Sequence, residues 1–283
     1  MKKTVFVFIL LFLTAVFLPF SLSVKADIGP KPSVEITFSG FEGEEYFVTL
    51  FSKNPPSGPY SEPYTYDDES YNLAAERFAE YEKNDPDGFY FSYHLTECTR
   101  TNRFVWGYYP PETFKITVYF PEKDIFIQSE VLSRYAFDSY FTANFDGTSL
   151  KVAKSYDYTS ETLSLLARIV LTIAIEVGIA FLFGFSNKKQ ITFIIGVNIF
   201  TQIALNIALG AVRFYSGGLA FAFYYLPFEI PVFIIEGILY SWYLKKHALK
   251  PIGTFKPLAY AFAANLASFA AGLGLALLMP GIF

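Results

Sequence analysis

The sequence predicts a multi-domain membrane protein: an exported all-β, sandwich-like domain with one helix, followed by a bundle of four transmembrane helices. Three observations predict this architecture. The long apolar runs are confined to residues 4–20 and 163–278, the segment between them alternates apolar and polar residues, and acidic residues concentrate in that segment. Alternation with a period of two is typical of half-buried strands, whereas apolar runs of about 20 residues can cross a bilayer.

Composition and charge exclude several classes of function. Hydrophobic residues make up 53% and charged residues 17% of the chain, against about 25% charged residues in soluble domains. Residues 27–160 hold 22 acidic and 11 basic residues, so we expect neither nucleic acid nor anionic lipid as a partner of this segment. The single cysteine, Cys98, excludes an intrachain disulfide and a cysteine-rich metal site. We expect no metal and no cofactor.

The N-terminus predicts a signal peptide over residues 1–26. A short basic start precedes the apolar run 4–20, and Val24 and Ala26 are small residues at the −3 and −1 positions of a cleavage site. We expect cleavage before Asp27. An uncleaved anchor is the alternative, because the apolar run is long, and in either case the following segment is exported.

Residues 27–158 form the predicted β domain. We expect a hairpin through residues 40–45 between the first two strands, a tight turn at Asp146-Gly147, and one helix over residues 72–83. Eight segments have the strand pattern, and they begin at Val34, Tyr46, Phe89, Arg103, Thr113, Asp124, Tyr135 and Thr148.

The stretch 110–118 combines two prolines, a turn, an aromatic residue and an alternating strand. It resembles the signature of prealbumin-like repeat domains found on cell surfaces. The resemblance implies a prealbumin- or immunoglobulin-like sandwich that binds, braces or spaces rather than catalyses.

Aromatic residues supply the candidate binding surface of the β domain. Tyr60 and Tyr64 lie in a proline-rich loop, and Trp106 and Tyr108 lie in a second aromatic segment. We favour aromatic core packing for these residues, and a carbohydrate- or peptide-binding surface is the alternative. For the other candidates we expect structural roles. Residues 67–69 form a solvated acidic loop, His94 is isolated, and Cys98 is unreactive.

Four apolar runs predict the transmembrane spans, at about 163–185, 191–212, 221–244 and 258–278. Lysines concentrate in loops 186–190 and 245–257, whereas only Arg213 lies between the second and third runs. Loops rich in Lys and Arg face the cytoplasm. We therefore expect a multi-pass protein of the cell membrane whose lysine-rich loops are cytoplasmic and whose β domain and C-terminus are extracytoplasmic.

Seven polar residues inside the apolar runs predict an intramembrane polar cluster. A charged side chain at mid-bilayer costs about 2.5–3.5 kcal/mol or more, so we expect these side chains to face inward together. Two interpretations stay open: interhelical hydrogen bonds that fix the packing, or a functional polar site. The seven are Glu176, Asn198, Gln202, Asn206, Glu229, Glu236 and Asn265.

Two prolines predict a helix break in the third span. Pro227 and Pro231 flank Glu229, and a proline inside a helix removes a backbone hydrogen bond. A broken helix beside a carboxylate is one way to build an intramembrane ion or substrate site. Arg168 lies two helical turns from Glu176, and we expect no basic side chain at the depth of the carboxylates.

The sequence lacks the motifs of known classes of intramembrane enzyme. The chain has no H-E-x-x-H helix and no phosphate-binding glycine loop, and residues 161–283 contain no aspartate pair. We therefore expect a protein without enzymatic activity.

The order of features also resembles a family of uncharacterised membrane proteins from Gram-positive bacteria. The signal peptide, the start at residues 27–33, the loop at 57–61, the 106–111 segment and the polar four-helix tail carry this resemblance. It implies no activity and no site residues.

Two hypotheses of function follow. The first is a non-enzymatic integral membrane protein of the envelope whose external β domain binds or senses an unidentified ligand and whose four helices anchor it. The alternative is a small transporter or ion-coupling subunit that uses the intramembrane Glu, Asn and Gln side chains. In both, the bilayer is a partner, together with another membrane protein or a second copy of the chain.

Overall fold

The computed structural model describes residues 29–41 and 43–278. The predicted signal peptide lies outside the described residues. The described chain divides into a β unit, Gly29–Tyr156, and a helical unit that begins at Asp157. The structure therefore has the predicted order of a β-rich region followed by helices.

Nine described strands and one α-helix build the β unit. The helix α1 is Glu69–Glu82. The strands are β1 (Ser33–Ser39), β2 (Phe47–Ser52), β3 (Tyr90–Glu97), β4 (Arg103–Trp106), β5 (Thr113–Phe120), β6 (Ile125–Gln128), β7 (Leu132–Ser133), β8 (Asp138–Phe145) and β9 (Leu150–Lys154).

The strands form two sheets around one core. One sheet has the order β4-β1-β8-β9, and the other has the order β3-β2-β5-β6 with β7 added to β5. The β1–β8 pair is parallel, and the neighbouring pairs β1–β4 and β8–β9 are antiparallel. Alternate residues of both sheets, among them Ile36, Val48, Ile116 and Phe141, are buried in the same cluster, so the two sheets bury their apolar faces against each other.

The predicted hairpin between the first two strands is wrong, because β1 and β2 belong to different sheets. The segment between them carries Phe41 into the core, where its ring stacks on Tyr46 and Phe120 at centroid distances of 4.6 and 5.7 Å. Gly40 has φ +85°, and a Cβ there would lie 2.2 Å from the backbone oxygen of Phe145. The glycine is therefore needed for a close backbone approach, not for a hairpin turn.

Helix α1 packs on the outer face of the five-stranded sheet through Ala74 and Phe78. It begins three residues before the predicted start, because the Asp68 carboxylate accepts a hydrogen bond from the Ser70 N–H at 2.9 Å. This N-cap satisfies a backbone donor that the first helical turn leaves free. The acidic loop thus includes a helix cap.

A buried ion pair ties the loop after α1 to β5. The Lys115 ammonium lies 3.0 Å from Asp85 and 2.6 Å from Asp87, and the side chains of Lys115 and Asp85 are almost fully buried. Burial alone would raise the pKa of the Asp85 carboxyl, but the Phe89 N–H and the Lys115 charge outweigh it and hold the pKa below its ordinary value.

Three helices of the helical unit are long and apolar enough to cross a membrane. They are α2 (Tyr158–Leu182), α3 (Lys188–Lys246) and α4 (Phe255–Leu278). Gly217, with φ 84° and ψ 176°, divides α3 into two helices, α3a (188–216) and α3b (218–246). The two segments fold back on each other, as shown by the hydrogen bond from the Gln190 side chain to the Leu244 carbonyl at 3.1 Å.

The helix break predicted at Pro227 and Pro231 inside the third span is wrong, and the turn between the second and third spans is at Gly217. Both prolines lie inside α3b, and the residue of α3 with non-helical backbone angles is Gly217. Proline has a φ near −65° that a helix accepts, whereas a positive φ of this size is readily adopted only by glycine. The chain therefore reverses at the Ser216-Gly217-Gly218 segment, and α3b continues past Glu229.

Replacing Gly40 with Ala is expected to destabilise the β unit more than replacing Gly43 with Ala. Both residues have a positive φ, but an added Cβ meets no atom within 4 Å at Gly43 and meets the Phe145 backbone at Gly40. Gly43→Ala should cost about 1–2 kcal/mol, and the steric overlap at Gly40 should add about 1–3 kcal/mol. The measurement is chemical unfolding followed by Trp106 fluorescence in a Trp242→Phe background. Equal losses would contradict the close approach.

Replacing Lys115 with Met is expected to lower the stability of the β unit by about 3–5 kcal/mol, because it leaves a buried carboxylate without its counterion. The matched control is Lys151→Met, whose exposed pair with Asp146 should contribute less than about 1 kcal/mol. Because the pKa of Asp85 is lowered in the folded state, its contribution is present at neutral pH and is lost as the pH falls through that value. Unfolding curves at pH 7 and at acidic pH test this, and a difference that does not shrink in acid would contradict it.

Candidate functional site in the helical unit

Glu176 of α2 is fully buried and accepts hydrogen bonds from uncharged donors. Asn198 of α3a donates from Nδ2 to Glu176 Oε2 at 2.7 Å, and the Tyr240 hydroxyl of α3b donates to the same oxygen at 3.4 Å. The Tyr260 hydroxyl of α4 donates to the Glu176 backbone carbonyl at 3.3 Å. Each of the other helical segments therefore contacts Glu176.

Glu236 of α3b has a relative exposure of 0%, and both of its oxygens accept a hydrogen bond. The Thr201 hydroxyl of α3a donates to Oε1 at 2.7 Å, and Asn265 of α4 donates from Nδ2 to Oε2 at 2.7 Å. The two carboxylates and their donors form what we call the carboxylate cluster. Its members are Glu176, Asn198, Thr201, Glu236, Tyr240 and Asn265.

Helical spacing brings these side chains together. Asn198 and Thr201 are three residues apart on α3a, and Glu236 and Tyr240 are four apart on α3b, so each pair shares a helix face. Because α3a and α3b run back along each other, Asn198 Nδ2 also lies 3.0 Å from the Tyr240 hydroxyl. The cluster thus depends on the reversal at Gly217.

Asn198 leaves one polar atom without a partner. Its Oδ1 is buried and accepts no hydrogen bond from any described residue, whereas its Nδ2 donates to the Ile194 carbonyl as well as to Glu176. An unpaired buried acceptor costs about 1–3 kcal/mol. This oxygen, on an amide that also bonds Glu176, can accept from a water or contribute to the binding of a small cation.

The remaining predicted polar residues lie elsewhere in the helical unit. Gln202, Asn206 and Glu229 line a cavity of about 180 Å³ that is bordered by all four helical segments. Arg168 of α2 lines it too and donates to Asn206 Oδ1 at 3.3 Å. We call this space the Arg168 cavity. The seven predicted residues therefore form two groups, four in the carboxylate cluster and three around the cavity.

Arg168 borders the same cavity as Glu229, a proximity that the sequence analysis did not predict. Helical spacing contained the signal: Arg168, Thr172 and Glu176 follow each other at intervals of four residues and so share one face of α2. The sequence spacing relates Arg168 only to Glu176 of the same helix, whereas Glu229, which borders the same cavity, is on α3b. Thr201 and Tyr240 complete the carboxylate cluster and were not among the seven predicted residues.

Trp106 belongs to the core of the β unit, as the core-packing interpretation expects, and not to a binding surface. Its exposure is 2%, it occupies an inward-facing position of β4 opposite Val34, and its ring lies 4.5 Å from His94 and 5.3 Å from Tyr60 between centroids. Alternation along a strand directs every second side chain to the core, and Trp106 has that parity.

The other candidate residues of the β unit have mixed environments. Tyr60 and Tyr108 are partly buried, and the Tyr108 carbonyl accepts the Trp106 indole N–H at 3.0 Å. Tyr64, at 65% exposure, projects to solvent. The four predicted residues therefore do not form one exposed aromatic patch.

His94 is partly buried and Cys98 is fully buried in the β unit. Burial lowers the pKa of His94, and its hydrogen bond to the Val105 carbonyl offsets this only in part. Burial raises the pKa of the Cys98 thiol to about 12, and the charge of Glu97 adds to the effect. At neutral pH the thiol is therefore protonated, which makes it a poor nucleophile. Among residues 29–41 and 43–278, no three His, Cys, Asp or Glu side chains are grouped so as to hold a metal ion.

No protein-family model, curated protein or solved structure matches the chain. The geometry of the site is therefore the basis for any functional conclusion.

Replacing Thr201 with Val is expected to destabilise the helical unit by about 0.6–2 kcal/mol, the range measured for hydrogen bonds between membrane helices. Valine keeps the shape of the side chain but removes the hydroxyl donor to Glu236. The matched control is Thr192→Val on the exposed side of the same helix. Loss of helicity on titration with a denaturing detergent is the measurement, and equal effects of the two substitutions would contradict the role of the Thr201 bond.

Proposed function

We propose that the protein is a non-enzymatic, multi-pass protein of the cell membrane whose helical unit binds a monovalent cation, H⁺ or Na⁺, at the carboxylate cluster and couples it to transport. The observation that carries this proposal is the burial of Glu176 and Glu236 against uncharged donors. Each accepts hydrogen bonds from two other helical segments. No described Lys or Arg forms an ion pair with either of them.

Electrostatics supports a cation rather than packing alone. Each ionised carboxylate inside a membrane costs about 2.5–3.5 kcal/mol on insertion scales, and two like charges in one cluster repel. A bound proton or sodium ion removes part of both costs, and the unpaired Asn198 Oδ1 offers a further oxygen. A cluster that served only as glue would be satisfied more simply by amides and hydroxyls, without two acids.

The lengths of the helices support a four-span arrangement. At about 1.5 Å per residue, α3a and α3b are each roughly 44 Å long, which exceeds the hydrocarbon thickness of about 30 Å. Lys188, Lys189, Lys245 and Lys246 lie at the end opposite Gly217, where Asn187 contacts His247. By the positive-inside rule this end is cytoplasmic, and the β unit is then extracytoplasmic. We assign the β unit a prealbumin- or immunoglobulin-like sandwich fold.

A second candidate is a sensor in which the β unit binds an external ligand and the helices only anchor it. The observation that favours it is the exposed ring of Tyr64, which packs edge-on against Tyr66. In this case the carboxylate cluster fixes the helix packing, and its acids are replaceable by amides.

The two candidates differ in the expected phenotype of the double substitution Glu176→Gln and Glu236→Gln. Purified full-length protein in proteoliposomes is expected to carry H⁺, measured with a trapped pH-sensitive dye, or Na⁺, measured by uptake of radioactive sodium. The double Gln variant should fall to the flux of empty vesicles, because a neutral amide neither releases a proton nor neutralises a cation.

The control is Glu161→Gln, which removes a carboxylate in the first turn of α2 and should leave the flux unchanged. Flux of neither cation above that of empty vesicles, or full flux in the double Gln variant, would overturn the proposal. In the sensor candidate, loss of the β unit abolishes function while the double Gln variant keeps it.

A further inference from the structure

Two side chains of opposite charge border the Arg168 cavity without pairing. Arg168 of α2 and Glu229 of α3b both line it, and no ion pair among the described residues joins them. Opposite charges inside a protein attract strongly because the effective dielectric constant is low. The Tyr225 hydroxyl donates to Glu229 and Arg168 donates to Asn206, so each has an uncharged partner but no described counterion, and a molecule in the cavity can supply both counterions.

We propose that the Arg168 cavity binds a small zwitterionic solute, with the carboxylate of the solute on Arg168 and its ammonium group at Glu229. The class includes α-amino acids, short ω-amino acids and betaines. This proposal does not require the cation coupling described above, because it concerns equilibrium binding at a different set of side chains.

The Arg168 end suits a carboxylate. A guanidinium presents five N–H donors and pairs with a carboxylate through two parallel hydrogen bonds, and the contact to Asn206 occupies only Nη1, at 3.3 Å. The Phe221 ring lies 5.6 Å from the guanidinium carbon and restricts its orientation. The amide of Gln202 borders the same cavity and can donate to a bound anion.

The Glu229 end suits an ammonium group. Tyr225 lines the cavity beside Glu229, and its ring stacks on Phe269 with a centroid distance of 5.4 Å. Aromatic faces attract cations, including quaternary ammonium groups. A carboxylate beside such rings therefore favours a primary amine or a methylated ammonium group.

The size of the cavity limits the solute. A volume of about 180 Å³ is comparable to the protein cavity of about 150 Å³ that accepts benzene. A single small or medium amino acid is of this size. A solute with only one charge would leave either Arg168 or Glu229 unpaired, which is the costly arrangement for a buried charge.

The test uses the full-length protein in lipid nanodiscs, without its natural ligand. The probes are the α-amino acids up to the size of leucine, γ-aminobutyrate and glycine betaine, screened by thermal shift and then measured by isothermal titration calorimetry. Propionate and propylamine, which each carry one charge, are the matched negative probes. At least one zwitterion should bind with one molecule per chain and at least ten-fold more tightly than either single-charge probe, about 1.4 kcal/mol.

Substitutions then assign the two ends. Arg168→Met should abolish zwitterion binding, and Arg168→Lys should weaken it, because lysine keeps the charge but loses the paired donors. Glu229→Gln should reverse the preference, so that propionate binds better than the zwitterion. Lys250→Met and Glu161→Gln remove charges that do not line the cavity and should leave binding unchanged.

The proposal is overturned if no zwitterion in the panel binds, or if propionate or propylamine binds as tightly to the unsubstituted protein. It is also overturned if Glu229→Gln, shown to be folded by its thermal transition, keeps the original order of affinities. Proteoliposome flux is a separate measurement, so failure of cation coupling leaves these outcomes readable.

Discussion

The helical unit depends on hydrogen bonds that uncharged side chains donate to two buried carboxylates. Glu236 accepts hydrogen bonds from Thr201 of α3a and Asn265 of α4, each at 2.7 Å. No apolar contact is as directional, so these bonds fix the rotation of α3a, α3b and α4 relative to one another. Aliphatic side chains fill the remaining space but would tolerate several rotations, because lipid tails are as apolar as they are.

This arrangement explains why the polar side chains divide into two groups along the helices. Glu176 and Glu236 lie where the segments are close enough for direct hydrogen bonds. Around Glu229 a cavity of about 180 Å³ separates the segments instead, and the small side chains of Ser268 and Gly272 border it. Close packing and open space thus alternate along one bundle, and each polar residue has the environment that its level provides.

Much of the fold could be predicted from the sequence because local pattern determines it. Strand β5 was predicted over the residues that form it, since Phe114, Ile116, Val118 and Phe120 alternate with the period of a strand and all point into the core between the sheets. Alternation does not say which sheet a strand joins. One partner of β1 is β4 and the other is β8, more than 100 residues later. No local signal at residues 40–45 separates a hairpin from a crossing between sheets.

The candidate site was predictable to a similar limit. A carboxylate in an apolar run indicates a polar site, because burying a charge is costly. In the structure, Glu176 and Glu236 lie together with Asn198 and Asn265. Which acid meets which donor depends on the register between helices, and that register depends on where the chain reverses. The reversal at Gly217 lies between the predicted second and third spans, whereas the break predicted at Pro227 and Pro231 is absent, since both prolines are inside α3b.

The single-residue reversal at Gly217 has a mechanical consequence. Gln190 and Leu244, which share a hydrogen bond, each lie 27 residues from Gly217. The segments α3a and α3b are therefore matched in length from the reversal to this hydrogen bond. One segment cannot slide along the other without unwinding a helical turn beside the glycine. Tilting and rotation about Gly217 remain available, and they would widen the lysine-rich end more than the end at the hinge.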